Sequence, residues 1–163
     1  MFNEKVYLLK VKKEAEDILL SEGMQKEKYL RHHGDITCYQ HSLSVALVSL
    51  YLADKYKWRI NEKSLIRGAL LHDYYLYDWH VVDKSHRFHG FIHACKALKN
   101  AGRDFKLNDI EKDIIRKHMF PLNITLPKYR ESWIVTLADK IVAFKEVTGS
   151  ILAKLFWKNT IKI

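Results

Sequence analysis

The chain has 163 residues, 48% apolar and 29% charged, with a formal net charge of +9 when histidines are neutral; that length suits one domain with a sizeable core and is short for two. Two prolines and six glycines speak against disorder and against a β-rich fold, so the expected class is all-α. The positive charge favours anionic partners, with phosphate as the feature common to nucleotides, nucleic acid and lipid headgroups. Cys38 and Cys95 form neither a CxxC pair nor an even framework, which argues against a disulfide scaffold or a zinc knuckle. The longest mainly apolar run, Leu43 to Ala53, is too short to span a bilayer, and charges from Glu4 onward replace a signal-peptide pattern. The expected compartment is a reducing cytoplasm, with no membrane anchor.

Residues 4–21 read as an amphipathic helix with Val6, Leu9, Ile18 and Leu19 as its apolar positions, closing near Gly23. Residues 24–35 are polar and basic (Lys26, Lys28, Arg31, His32, His33) and break at Gly34-Asp35. No apolar periodicity buries the histidine pair, so a solvated loop is expected there, with contact to a substrate or metal as the alternative. Thr37 and Gln40 have capping-box spacing for a helix to about Lys57. His41 then heads the stripe of Val45, Val48 and Leu52 and faces the core.

Asn61 can cap a third helix through Leu71, at whose end stand His72 and Asp73. From Tyr74 to Phe88 the chain mixes Tyr74, Tyr75, Tyr77, Trp79 and Phe88 with Lys84, His86 and Arg87. Such a connector either packs on the core or covers a site, its aromatics stacking a base and its cations meeting phosphate. A fourth helix spans about residues 89–100 and stops at Gly102, with His89, His93 and Ala97 on one face. Asn108 and Glu111 cap a fifth, in which Ile114, Ile115 and His118 share a face before Pro121 ends it. The sixth runs from Tyr129 or Arg130 to about Val147, with Asp139 among Val135, Thr136, Val142 and Ala143. The tail to Ile163 reads as a short packing helix or a partner-binding end.

His41, His72, Asp73, His93, His118 and Asp139 therefore all point toward the core from separate segments. A hydrogen-bonded core histidine would explain His41 alone, but Asp139 is mid-helix, cannot cap its own helix, and needs an ion pair or a metal. Imidazoles and carboxylates without thiolates suit Fe, Mn, Zn or Ni, the carboxylates favouring the harder ions. Six donors exceed the needs of one ion. With His41, His72, Asp73 and Asp139 on one metal and His93 and His118 on a second, Asp73 can bridge. Paired ions bind phosphate oxygen and lower the pKa of water, which is the chemistry of phosphoester or phosphoanhydride hydrolysis.

This ordered set resembles the HD-domain phosphohydrolase superfamily, through His41-Ser42-Leu43, Leu70-Leu71-His72-Asp73, His93-Ala94, His118-Met119 and Leu137-Ala138-Asp139-Lys140. The resemblance implies a compact bundle of about six helices around a metal centre. His41, His72, Asp73 and Asp139 match the family's four ligands. His93 and His118 match the extra histidines of its dinuclear branch, which includes diadenosine tetraphosphate hydrolases and cyclic-dinucleotide phosphodiesterases. Of these two groups, the chain resembles the small single-domain diadenosine tetraphosphate hydrolases more in size and spacing.

The expectation is a single domain over residues 1–163, with its motif core at about 37–148, that hydrolyses a nucleotide-like phosphate compound. Two divalent or mixed-valence metal ions are expected, Fe or Mn ahead of Ni, Zn, Co or Mg. Asp73 serves the chemistry, Lys84 or Arg87 neutralises the phosphate (with Arg67 and Lys140 as further cations), and His89 is a substrate contact, a proton donor or a replacement for His93. The expected partner is a small phosphorylated substrate, without a membrane. Nucleic acid is disfavoured because the lysines are dispersed, and a homo-oligomer is left open. Many catalytic relatives follow the HD pair with Ile-Gly-Lys, whereas this chain has Tyr74-Tyr75-Leu76. The competing reading is a non-catalytic HD module that binds a nucleotide or protein and keeps a structural metal.

Overall fold

The computed structural model describes residues 3–32, 36–78 and 89–148. Among them are seven α-helices: α1 (Glu4–Leu19), α2 (Glu22–Lys26), α3 (Cys38–Lys55), α4 (Glu62–Leu71), α5 (His89–Asp104), α6 (Asp109–Lys117) and α7 (Arg130–Thr148). A single 3-10 turn, Glu27–Tyr29, follows α2. Extended pairing among the described residues is confined to one bridge, Arg31 to Thr37. The class is all-α, and none of the described helices is long and apolar enough to cross a membrane.

The helix starts follow the cap chemistry. Thr37 and Gln40 form a complete capping box on α3, as do Asn108 and Glu111 on α6. Asn61 accepts from the Ser64 amide at the start of α4. Each satisfies amide donors that a helix end leaves unpaired, a contribution of about 1 kcal/mol per cap.

Helix α4 is the hub. Every residue from Ser64 to Leu71 is buried, and a helix covered on all sides must be central. It packs against α1, α3, α6 and α7. Leu65, Ile66, Leu70 and Leu71 are fully buried, each stabilising the fold by about 1.5–3 kcal/mol relative to exposure. Gly68 sets the approach of α6, since a Cβ there would lie 2.4 Å from Ile114 Cδ1. That close crossing brings the C-terminal ends of α4 and α6 together.

Three expectations need correction. In α1 the buried positions are Tyr7, Val11, Ala15 and Ile18, while Val6 and Leu9 are 44% and 67% exposed; a tyrosine and an alanine carry the core stripe that the larger aliphatics only suggested. The basic stretch 24–35 is no solvated loop where it is described. It forms α2 and the 3-10 turn, and Met24, Glu27, Leu30 and His32 are buried, which raises the helix count above six. Helix α5 also runs through Gly102 to Asp104, because a glycine with nothing within 4 Å of its Cβ position neither strains nor caps the helix.

Candidate metal centre

The site is built at helix ends. His72 is the C-cap of α4 and His118 the C-cap of α6. Each donates its Nδ1–H to the carbonyl three residues earlier, His72 to Ala69 at 2.7 Å and His118 to Ile115 at 2.9 Å. A helix C-terminus has carbonyls without amide partners, and here imidazoles take them up. The carbonyl can only accept, so Nδ1 carries a proton, and in the neutral form of the ring it is Nε2 that presents a lone pair inward. The two rings meet edge to face at 4.8 Å.

His41 reaches the same point from the first turn of α3. Its Nδ1 donates to Glu146 Oε2 at 2.9 Å, and its Nε2 lies 3.1 Å from Asp139 Oδ1 and 3.3 Å from His72 Nε2. Asp73 Oδ2 is 3.6 Å from His72 Nε2 and 3.9 Å from His41 Nε2. The other oxygen, Asp73 Oδ1, faces His93 Nε2 at 3.3 Å and His118 Nε2 at 3.5 Å, and those two nitrogens are 2.9 Å apart. All six residues proposed from the sequence thus converge, with the oxygens of Asp73 divided between two donor sets.

The arrangement fits metal ions on its own chemistry. Donors about 2.0–2.2 Å from one ion stand roughly 3.0–3.5 Å from each other, close to the spacings found. Asp73 Oδ1 is buried without a hydrogen-bond partner. Imidazole lone pairs that face one another across 3 Å repel unless a proton or a cation lies between them. Among the described residues three groups are able to hold an ion: His41, His72 and Asp139; His72, Asp73 and His118; and His32, His41 and Glu146.

Electrostatics without metal are those of a salt-bridge network. Burial raises the Asp73 and Asp139 carboxyls, yet the facing imidazoles hold both well below the ordinary carboxylate range. Burial pushes His72 down, but the charges of Asp73 and Asp139 carry it up. Such a cluster is protonated and paired, or metallated; unpaired it would cost several kcal/mol.

Two further members lie outside the six: Glu146, which the sequence reading does not name, and His32, for which contact with a metal or substrate is only its alternative to a solvated loop. His32 is 8% exposed, with Nε2 3.1 Å from Asp73 Oδ2 and Nδ1 3.4 Å from Glu146 Oε2, and its ring stacks on His41 at 3.8 Å. Burial lowers it, and the bonds to Asp73 and Glu146 bring it up to about 10. Glu146, raised by burial, is held down to about 2 by His32 and His41. Glu146 had a legible signal, standing seven residues after Asp139 and hence two turns along the same face of α7. His32, on a non-helical segment, had none. Glu27 is also fully buried, and burial together with the charge of Asp73 pushes its carboxyl well above the ordinary range.

A cavity of about 570 Å³ opens over Asp73, His93, His118 and Asp139, within the range that small-molecule sites occupy. Met119, Pro121, Leu122 and Ala143 form an apolar wall, and Lys140 lines the cavity as well. Lys140 Nζ donates to the His118 carbonyl at 3.1 Å. Arg67 is engaged elsewhere, donating twice to Asp17 and lying 3.3 Å from Glu111. Tyr74 and Tyr75 take the packing alternative. Tyr74 is buried and donates to Asp104, and the Tyr75 hydroxyl is 3.2 Å from Cys38 Sγ. Lys84, Arg87 and the side chain of His89 lie outside the described residues.

A family model described as the HD domain matches residues 38–143, from the first turn of α3 into α7, and so takes in all six converging residues. That family is mostly hydrolases and its domains bind divalent metals. No curated protein and no solved structure matches the chain.

Proposed function

The chain belongs to the HD domain family, and from that premise we propose that it is a two-metal phosphohydrolase that cleaves a phosphoester or phosphoanhydride bond of a nucleotide-like substrate. The observation that carries this reading is Asp73, whose two oxygens face separate donor sets directly beneath the cavity. His41, His72, Asp73 and Asp139 would hold one ion, and His93, His118 and Asp73 the other. Two divalent ions there, Fe or Mn ahead of Ni, Zn, Co or Mg, supply Lewis acidity and make hydroxide available near neutral pH.

The chain's own residues do the rest. Lys140 meets a phosphoryl oxygen, the role that the lysine of an Ile-Gly-Lys sequence would otherwise fill. The wall of Met119, Pro121, Leu122 and Ala143 seats an uncharged part of the substrate such as a base. Dinucleoside tetraphosphates head the substrates to screen, followed by nucleoside phosphates and cyclic dinucleotides. We place the protein in the cytoplasm, as one domain with a small phosphorylated partner.

The test is elemental analysis of protein purified anaerobically without chelator, joined to that screen. About two ions per chain and turnover of one substrate class are expected, and Asp73→Ala should lose metal and turnover together. Turnover that survives this substitution would sink the mechanism. Leu76 standing where the lysine is usual favours one rival, a non-catalytic binding module. A metal-loaded protein that binds nucleotides and turns none over would establish it.

A further inference from the structure

The hydrolase reading leaves His32 without a task and gives Glu146 only the orienting of His41, although the fold builds both in with care. His32 sits outside any helix, yet its backbone is tied on both sides. Its amide donates to the Ile36 carbonyl at 2.8 Å, and the Cys38 amide donates to Leu30 at 2.8 Å, around the bridge between Arg31 and Thr37. The side chain is clamped three ways: stacked on His41 with 20° between the ring planes, near Glu146 through Nδ1, and bonded to Asp73 through Nε2. It lines the cavity, whereas His41 beneath it is fully buried.

We propose that His32 and Glu146 form the substrate-facing pair of this centre, Glu146 fixing the imidazole and His32 directing its Nε2–H at a phosphoryl oxygen of the bound phosphate compound. The assignment rests on the hydrolase reading above. Its chemistry follows from competition for Asp73 Oδ2. An oxygen that binds a cation becomes a poorer hydrogen-bond acceptor, and the Nε2–H then has the cavity as its better outlet. At the opposite edge of the ring Nδ1 lies 3.4 Å from the same Glu146 oxygen that accepts from His41 Nδ1, an ion-pair contact that favours this orientation of the charged ring. The two stacked rings are therefore set by one carboxylate, His41 turned toward the buried donors and His32 toward the cavity. A buried N–H held in this way is pre-organised to meet a developing or resident phosphate charge.

Phosphate affinity and metal content, measured on the same metal-loaded samples, test this. Inorganic phosphate is titrated calorimetrically into wild type, His32→Ala, His32→Gln and the pair E146Q and H32A/E146Q. His32→Ala should keep its metal and bind phosphate about ten- to a hundredfold more weakly, the loss of one hydrogen bond to a charged group. His32→Gln, whose amide N–H can reach the Nε2 position, should recover part of that loss and also serves if the alanine variant fails to fold. Glu146→Gln, whose side-chain oxygen can still accept from His41 Nδ1, should weaken phosphate binding less than His32→Ala does, and in samples of equal metal content adding it to His32→Ala should lower phosphate affinity no further, as expected of a residue that positions His32 for phosphate. Loss of metal from His32→Ala would make His32 a ligand and overturn the proposal, as would unchanged phosphate affinity in a metal-loaded variant. A wild type that takes up no metal would overturn the hydrolase reading itself and this assignment with it.

Discussion

The two donor sets around Asp73 are built differently. The lower set, His41, His72, Asp73 and Asp139, has four donors, and both its histidines are fully buried. The upper set is His93, His118 and one oxygen of Asp73, three donors that all line the cavity, whereas in the lower set only the carboxylates Asp73 and Asp139 do. Closed, fully ligated sites are structural, whereas catalytic ones keep a position open for water or substrate. If both sets fill as proposed, the contrast would give the lower ion chiefly the part of holding α3, α4 and α7 together and the upper ion that of meeting the substrate.

The largest test of that division is stepwise metal uptake. Metal-free wild type should take up one ion tightly and a second more weakly, with turnover appearing only on the second. His118→Ala should keep the tight step and lose the weak one, leaving about one ion per chain. His41→Ala should lose the tight step. If His118→Ala removes both ions, the sets are a single unit and the division is wrong. A smaller effect is expected one layer out. Glu146→Ala unties His41 Nδ1 and should weaken the tight step about ten- to a hundredfold, the usual cost of losing an outer partner of a metal-bound histidine.

Acidity sharpens the same comparison in protein stripped of metal. Glu146 has a folded value of about 2 against an ordinary 4.5, so its pairing stabilises fully above about pH 4.5 and is lost as pH falls toward 2. His32 stands at about 10 against 6.5, so its contribution is complete below about pH 6.5 and is lost as pH rises through 10. The two describe one shared contact and do not add. Chelator-treated protein should therefore have its highest melting temperature between about pH 4.5 and 6.5. Metal-loaded protein should show a smaller alkaline decline, because an Asp73 oxygen that binds a cation is a poorer partner for protonated His32 and leaves less stabilisation to lose. A melting temperature that climbs from pH 6.5 to 9 without metal would contradict the network described.

What could be read in the sequence divides along physical lines. The caps at Thr37, Asn61 and Asn108 and the stripe behind His41 are local signals, set by residues three or four apart, and the helices they predict are present. Asp139 was conspicuous because a mid-helix carboxylate on an apolar face needs a partner. His32 and Glu27 gave no such signal. Their burial depends on contacts with residues far away in the chain, and a short helix plus a 3-10 turn carries too few residues to show a period. The face of α1 was misjudged for a related reason: Tyr7 and Ala15 are ambiguous by hydropathy, and only the neighbours α3 and α4 make them core.

The smallest predicted effect probes Asp73, the one residue common to both sets, through its neighbour Tyr74. Gly23 in α2 lies against that ring, and a Cβ on Gly23 would fall 1.6 Å from the Tyr74 hydroxyl oxygen. Gly23→Ala must therefore move Tyr74, which is fully buried and bonded to Asp104. Overpacking of this kind destabilises by about 1–3 kcal/mol, measurable by denaturant unfolding of the metal-free protein. Because Tyr74 follows Asp73 directly, the shift is passed to the carboxylate that the two donor sets share. The tight and weak steps of metal uptake should then weaken together and by similar factors, unlike the one-sided losses of His41→Ala and His118→Ala. If Gly23→Ala lowers stability but leaves both steps intact, the position of Asp73 is set by the histidines around it and not by the packing beneath it.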